Sequence, residues 1–143
     1  MPIVETCNSC GRQNRVPAIH LADQGRCGAC KATIGPAALP IAADPALFNE
    51  IIENSLVPVL VDFWAAWCGP CRMAAPEVER TAGAMAGRAI VVKVDTDRYP
   101  ELAARFSVRG IPNFVILYRG RVVKQQAGVV DHGQLENWLT AAA

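Results

Sequence analysis

The sequence lacks the features of a nucleic-acid-binding, membrane-spanning or secreted protein. Its 14 Lys and Arg residues nearly balance 13 Asp and Glu residues, and a net charge of +1 argues against a chain that coats nucleic acid or an acidic membrane. No apolar run reaches the length of a membrane span, because Asp62 interrupts the longest one. The first 30 residues are interspersed with charges and lack the apolar segment of a signal peptide. We therefore expect a cytoplasmic protein in a reducing compartment, with no nucleic-acid or membrane partner.

The chain divides into a small cysteine-rich part and a larger apolar part. Residues 1–36 contain four of the six cysteines and too few large apolar side chains for a core of their own. Gly35-Pro36 is typical of a structural break, and residues 37–40 form a short connection. The sequence thus predicts two domains, over residues 1–36 and 41–143.

Residues 41–143 alternate between helical and strand patterns. Asp44 and Asp131 are suited to cap helices, and Arg119-Gly120 indicates a hairpin turn. The resulting order predicts an α/β fold, a mixed central sheet with helices on both faces. The predicted strands are Val57–Phe63, Ala89–Asp95, Asn113–Tyr118 and Val122–Gln126, and the predicted helices are one following Asp44, Gly69–Ala86, Tyr99–Phe106 and Gln134–Ala141.

The six cysteines form three Cys-x-x-Cys pairs, which in a reducing compartment indicate metal ligands or redox groups. The pair Cys68/Cys71 differs from the others because it lies in Trp-Cys-Gly-Pro-Cys, between a predicted strand and a predicted helix. A helix N-terminus stabilises a thiolate. An exposed Cys68 would attack a substrate disulfide, and the more buried Cys71 would resolve the mixed disulfide. A metal site here is disfavoured, since no further Cys or His follows at ligand spacing.

Residues around this pair are suited to support it. Gly69 permits a tight entry into the helix, and Pro70 fits its first turn. Trp67 is expected to form a flat apolar lip beside Cys68. Asp62 interrupts an apolar strand, so we expect it to be buried with a raised pKa. It could then accept the proton of Cys71. The alternative is that Asp62 only caps the end of the strand.

The residues alone leave two questions undecided, the role of Lys93 and the conformation of the peptide bond before Pro112. Lys93 interrupts the next strand and could tune Asp62, or its side chain could extend to solvent. Gly110-Ile111-Pro112 could contain a cis proline facing Cys68, or an ordinary trans proline at the start of a strand.

The stretch from Asp62 through Trp67-Cys68-Gly69-Pro70-Cys71 to Pro76 closely resembles thioredoxin, as do Lys93-Val-Asp95, Gly110-Ile111-Pro112 and Gly128. The resemblance covers residues 41–143 and implies the thioredoxin fold and protein-disulfide reductase activity. It implies Cys68 as nucleophile, Cys71 as resolving thiol, Asp62 as buried base and a cis Pro112. The family often has Thr after this proline, where this chain has Asn113. The substrate-binding surface implied comprises Trp67, Gly69, Pro70, Ile111, Pro112 and Gly128.

The other four cysteines, Cys7, Cys10, Cys27 and Cys30, have the spacing of a four-cysteine zinc site. Zinc would also stabilise a segment with so small a core. His20 falls outside both pairs and is expected to face solvent. These two pairs could instead form further redox disulfides, but neither lies between a predicted strand and a predicted helix. The segment could also bind nucleic acid, but it has no row of aromatic side chains. A zinc ribbon joined to this fold resembles the bacterial thioredoxin-2 subgroup.

The resemblance also implies partners. These are disulfide-containing substrate proteins and an NADPH-dependent flavoprotein thioredoxin reductase, with one structural zinc ion, no organic cofactor in the chain itself and a monomeric state. An alternative function is redox sensing, with zinc released on oxidation. An oxidase or isomerase is disfavoured by the Gly-Pro dipeptide.

Overall fold

A computed structural model describes residues 3–143. The N-terminal part consists of two antiparallel hairpins, β1 (Ile3–Thr6) with β2 (Gln13–Val16) and β3 (Gly25–Arg26) with β4 (Thr33–Ile34). A 3-10 helix, Ala18–His20, lies between them.

Each hairpin turn carries one cysteine pair in the same hydrogen-bonding pattern. The amide of Cys7 donates to the carbonyl of Arg12 and the amide of Cys27 to that of Ala32, both at 2.8 Å. The equivalent fifth residues, Gly11 and Lys31, both have positive φ. The two knuckles are thus structurally alike although their sequences differ.

The rest of the chain contains four helices and five further strands, which are β5 (Ile41–Ala42), β6 (Val59–Trp64), β7 (Ile90–Asp95), β8 (Asn113–Tyr118) and β9 (Arg121–Ala127). These strands form one mixed sheet in the order β5-β7-β6-β8-β9. β6 runs parallel to β7 and antiparallel to β8. Asp44 and Asp131 cap the first and last helices by accepting hydrogen bonds from the amides of Leu47 and Gln134, both at 2.8 Å. The helices are α1 (Pro45–Asn54), α2 (Gly69–Ala84), α3 (Pro100–Arg105) and α4 (His132–Ala142).

The sheet separates two apolar cores. Val59, Val61 and Phe63 of β6 face the core formed with α1 and α3, and Leu60 faces the core formed with α2 and α4. Because side chains alternate along a strand, Asp62 lies on the same face as Leu60, towards α2. Among residues 3–143, none of the helices is long and apolar enough to cross a bilayer.

The segment between the two N-terminal hairpins packs onto the core on the α1 side. Leu21, only 1% exposed, and Ala18 belong to the same buried cluster as Phe48 and Ile51 of α1. The carbonyl of Leu21 also accepts a 2.8 Å hydrogen bond from the amide of Ala37. The ribbon is therefore stabilised partly by burial against the larger part of the chain.

Most elements of the larger part lie where the sequence predicts them, and three differ: β5, β6 and α4. The sequence does not predict β5, since two residues are too short to produce an alternating pattern. β6 begins after Pro58, later than predicted, and α4 begins at His132, directly after its cap Asp131.

Candidate functional site

Cys68 and Cys71 are joined by a disulfide at the N-terminus of α2. Cys68 caps this helix: its Sγ accepts a 3.2 Å hydrogen bond from the amide of Cys71. Unpaired amides and the helix dipole at this position stabilise negative charge on a sulfur atom. The strand-to-helix junction predicted from the sequence is confirmed.

The exposure of Cys68 differs from the expectation. In the disulfide state Cys68 is 3% exposed and Cys71 is 5% exposed, so the expectation of an exposed Cys68 beside a more buried Cys71 is wrong for this state. The reason is local packing, because both cysteines cluster with Ala65, Trp64 and Ile111.

The Ile111–Pro112 segment lies against this disulfide. Its peptide bond is cis, as the resemblance implies. The carbonyl oxygen of Ile111 lies 3.7 Å from Cys68 Sγ, and the carbonyl of Pro112 accepts a 2.8 Å hydrogen bond from the amide of Gly128. Gly128 has φ +95°, a conformation that suits glycine. The fold thus links Cys68, Ile111, Pro112 and Gly128 in one contact series.

Trp67 forms a broad apolar surface on the loop before Cys68. Its side chain is 68% exposed, and its Nε1 donates a 3.0 Å hydrogen bond to Asp97 Oδ2. Asp97 itself is held by a turn in which Asp95 Oδ1 accepts from its amide. Sequence reasoning missed Asp97; the only signal was the turn-forming residue pair Asp95 and Asp97 after β7. Gly69 and Pro70 follow as the first residues of α2.

Asp62 is buried inside β6 and does not cap its end. It is 2% exposed, and its Oδ1 has no hydrogen-bond partner among the described residues. Burial raises the pKa of Asp62 to about 6, against the opposing effect of the Lys93 charge. Asp62 and Lys93 are register partners on β6 and β7, and Lys93 Nζ lies 4.9 Å from the centre of the Trp64 ring.

The four N-terminal cysteines converge on one point. Their sulfur atoms all lie within 4.8 Å of one another, and Cys7–Cys30 and Cys10–Cys27 are each 3.6 Å apart. Such a set of four close thiols fits a metal ion that prefers tetrahedral sulfur ligands. His20 is exposed and instead contacts Asp23 at 2.9 Å.

Hydrogen bonds from the two turns favour the thiolate form of Cys7 and Cys27, the first cysteine of each pair. Backbone amides of Cys30 and Ala29 lower the pKa of Cys27 to about 6, and those of Cys10 and Ser9 lower the pKa of Cys7. The backbone of each knuckle therefore stabilises one thiolate, the form in which cysteine binds a metal ion.

Asn14 connects the two knuckles, and sequence reasoning missed it. Its Nδ2 lies 3.6 Å from Cys27 Sγ and 3.2 Å from the carbonyl of Arg12, while its Oδ1 accepts a 3.0 Å hydrogen bond from the amide of Gly28. No sequence pattern singles it out, because the contact depends on how the hairpins pair in space.

Comparisons with known proteins agree with this geometry. The family model described as "Thioredoxin" matches residues 39–141, and the one described as "Thioredoxin 2, N-terminal" matches residues 6–32. Thioredoxin C-3 from Corynebacterium nephridii is 38% identical over 137 residues, covering 96% of this chain and 93% of the relative. Thioredoxin 1 from Chlorobaculum tepidum is 45% identical over 94 residues, covering 66% of this chain and 93% of the relative.

A solved structure is also similar. A mutant thioredoxin from Halobacterium salinarum NRC-1 has a TM-score of 0.69 and 32% identity, and the match covers 77% of this chain and 95% of that one. Together with the Cys68–Cys71 pair at the N-terminus of α2, these matches show that the chain is a thiol–disulfide oxidoreductase. The chain belongs to the thioredoxin family, in the subgroup that carries an N-terminal zinc ribbon.

Proposed function

We propose that Cys68 is the nucleophile and Cys71 the resolving thiol in the reduction of protein disulfides. The observation that carries this assignment is the placement of Cys68 Sγ at the N-terminus of α2, within 3.2 Å of the Cys71 amide. The Cys68 thiolate attacks one substrate sulfur, and the other leaves as a thiolate. The Cys71 thiolate then attacks Cys68 Sγ, which releases the second substrate sulfur and leaves the Cys68–Cys71 disulfide. Two electrons pass to the substrate, whose thiolates take up protons.

Asp62 is the base that accepts the proton of Cys71, directly or through water. Its burial, its pKa of about 6 and its position on the sheet face towards α2 support this role. A group with such a pKa exchanges protons close to neutral pH. Lys93 tunes Asp62, because its positive charge opposes the rise in the pKa of that carboxyl group.

The substrate-binding surface surrounds Cys68. Trp67, Pro70 and Gly128 are exposed, and Pro112 is buried. Ile111, whose carbonyl oxygen lies 3.7 Å from Cys68 Sγ, offers backbone groups to an extended peptide. We assign to this surface Trp67, Gly69, Pro70, Ile111, Pro112 and Gly128.

The ion bound by Cys7, Cys10, Cys27 and Cys30 is zinc, and its role is structural. A ribbon of residues 1–36 with few apolar side chains depends on such a site, whereas residues 41–143 form the redox domain. The alternative of redox sensing predicts zinc loss under mild peroxide while the rest of the fold persists. Zinc retained until unfolding excludes sensing.

The remaining assignments follow from the family. The Cys68–Cys71 disulfide is reduced by an NADPH-dependent flavoprotein thioredoxin reductase, and the chain acts as a cytoplasmic monomer. The similarity to thioredoxin relatives supports these assignments.

Insulin reduction, followed by turbidity with dithiothreitol as reductant, tests the cysteine roles. Cys68→Ser is expected to abolish turnover, whereas Cys71→Ser is expected to accumulate a mixed disulfide through Cys68. Cys10→Ser with the ribbon metal quantified is the matched control, since it removes a thiol outside the redox pair. Full activity of Cys68→Ser contradicts the assignment.

A further inference from the structure

One side chain on the edge strand β9 connects two segments that flank the Ile111–Pro112 loop. Gln125 Nε2 donates a 2.9 Å hydrogen bond to the carbonyl of Phe106, which ends α3, and a 3.2 Å hydrogen bond to Asn113 Oδ1, which begins β8. Asn113 is buried, although it is polar. The loop between them, residues 107–112, is thus bracketed at both ends by a single amide group.

This loop has little internal support of its own. The amides of Ser107 and Val108 bond back to α3, but those of Arg109, Gly110 and Ile111 have no hydrogen-bond acceptor among residues 3–143. The loop also carries the Ile111 carbonyl that lies 3.7 Å from Cys68 Sγ. A loop with few bonds and a close approach to the reacting sulfur depends on how its ends are fixed.

We propose that Gln125 is a positioning residue for disulfide reduction, which fixes loop 107–112 so that the Ile111 backbone is ready to pair with a protein substrate beside Cys68. Gln125 does not touch the reacting atoms and acts through Asn113 and Phe106. This inference rests on the proposed substrate-binding role of Ile111.

The side chain of Asn113 places its Oδ1 within hydrogen-bond distance of Gln125 Nε2. The carboxamide oxygen of asparagine is one bond further from the backbone than the hydroxyl oxygen of threonine would be. Asn113 and Gln125 therefore form a pair in this chain, in which the amide of one satisfies the buried oxygen of the other.

The test compares Gln125→Met with Gln126→Met in insulin reduction and in reduction of a small aromatic disulfide. Gln126 is a matched control, because it is the next residue on β9 and, within the part of the chain that the structure describes, its side-chain amide donates only to the carbonyl of Ala127. For Gln125→Met we expect KM for insulin to rise roughly 3- to 10-fold, the effect of losing one or two hydrogen bonds, with kcat and small-disulfide reduction within about 2-fold. Gln126→Met is expected to match the parent chain in both assays.

A double-mutant cycle with Asn113→Thr keeps the proposal testable if Gln125→Met is poorly folded. Asn113→Thr alone is expected to raise KM for insulin, and Gln125→Met is expected to add less in that background than in the parent chain, because the bond to Asn113 is already lost and the bond to the Phe106 carbonyl is the one that remains to be removed. An unchanged KM in Gln125→Met, equal losses of kcat for both substrates, or additive effects in the cycle each overturn the proposal. Retained activity in Cys68→Ser contradicts the proposed function instead, so the two failures are distinct.

Discussion

Asp62 and Lys93 occupy paired positions on parallel strands, yet no ion pair joins their side chains among the described residues. Lys93 Nζ instead lies over the Trp64 ring, 4.9 Å from its centre, and Asp62 Oδ1 has no hydrogen-bond partner within residues 3–143. The ammonium group acts on the carboxyl group only through space, so burial dominates and the pKa of Asp62 is about 6. The arrangement leaves Asp62 able to exchange protons near neutral pH.

Asp62→Asn is expected to stabilise the oxidised protein at high pH. The rise in the pKa of Asp62 from 3.8 to about 6 means that the folded state binds the proton more tightly, so stability falls as pH rises through this interval. The shift corresponds to at most about 3 kcal/mol of unfolding free energy. Urea unfolding at pH 8 should show the variant more stable by up to this amount.

Below pH 3.8 the carboxyl group of Asp62 is mostly protonated in both the folded and the unfolded chain, and it is then as neutral as the amide of the Asp62→Asn variant. The unfolding free energies of the two proteins should therefore be close at pH 3. The same substitution should slow insulin reduction, since the amide cannot accept the proton of Cys71. An equal difference in stability at pH 3 and pH 8 would show that ionisation of Asp62 is not its source.

Lys93→Met is expected to raise the pKa of Asp62 further, because a nearby positive charge that favours the carboxylate is removed. Carbon-13 NMR titration of the Asp62 carboxyl group measures this directly. Lys124→Met is the matched control: Lys124 Nζ lies 4.7 Å from the centre of the Trp138 ring, a similar contact on β9. A pKa for Asp62 that is unchanged in Lys93→Met, or equally shifted in Lys124→Met, contradicts the proposed tuning.

Asn14→Ala is expected to weaken metal binding roughly 10-fold or more, the range found for residues that orient metal ligands. The substitution removes contacts to Cys27 Sγ and the Gly28 amide, so the second knuckle loses its link to β2. Competition with a chromogenic chelator measures the affinity. Asn8→Ala is the control, since Asn8 is exposed and makes no side-chain hydrogen bond among residues 3–143. Equal metal affinities of the two variants would show that Asn14 does not contribute to metal binding.

Leu21→Ala is expected to lower the unfolding free energy of the metal-loaded protein by about 2–5 kcal/mol, the cost of a cavity in a packed core. Ile19→Ala, two residues away, is expected to cost less than about 0.5 kcal/mol, because Ile19 is 48% exposed. Chemical denaturation followed by far-UV circular dichroism compares them. Similar losses in the two variants would mean that the ribbon does not contribute to the α1 core.

The sequence predicts the features that depend on neighbouring residues. Asp44 caps α1 and Asp131 caps α4, and the Trp-Cys-Gly-Pro-Cys string lies at the predicted strand-to-helix junction, because each of these signals is read within a few positions. The burial of Asp62 also follows from one carboxyl group within an apolar run.

Features that depend on distant parts of the chain could not be predicted in this way. The contact of Gln125 with Phe106 spans 19 residues and depends on how β9 passes α3. The low exposure of Cys68 depends on Ile111, and the position of Lys93 over Trp64 depends on which strands are neighbours. These are properties of the assembled sheet.

The two edges of the sheet also differ in how they resist self-association. β5 offers only two residues, too few to template another strand, whereas β9 is exposed along all seven. A register shift interrupts the pairing of β9 with β8 at Ile116 and Leu117. The strand β9 also carries the cationic side chains of Arg121 and Lys124. Bulges and cationic side chains of this kind discourage edge-to-edge pairing. The fold therefore limits edge-to-edge association at β5 by the shortness of the strand and at β9 by charge and irregular pairing.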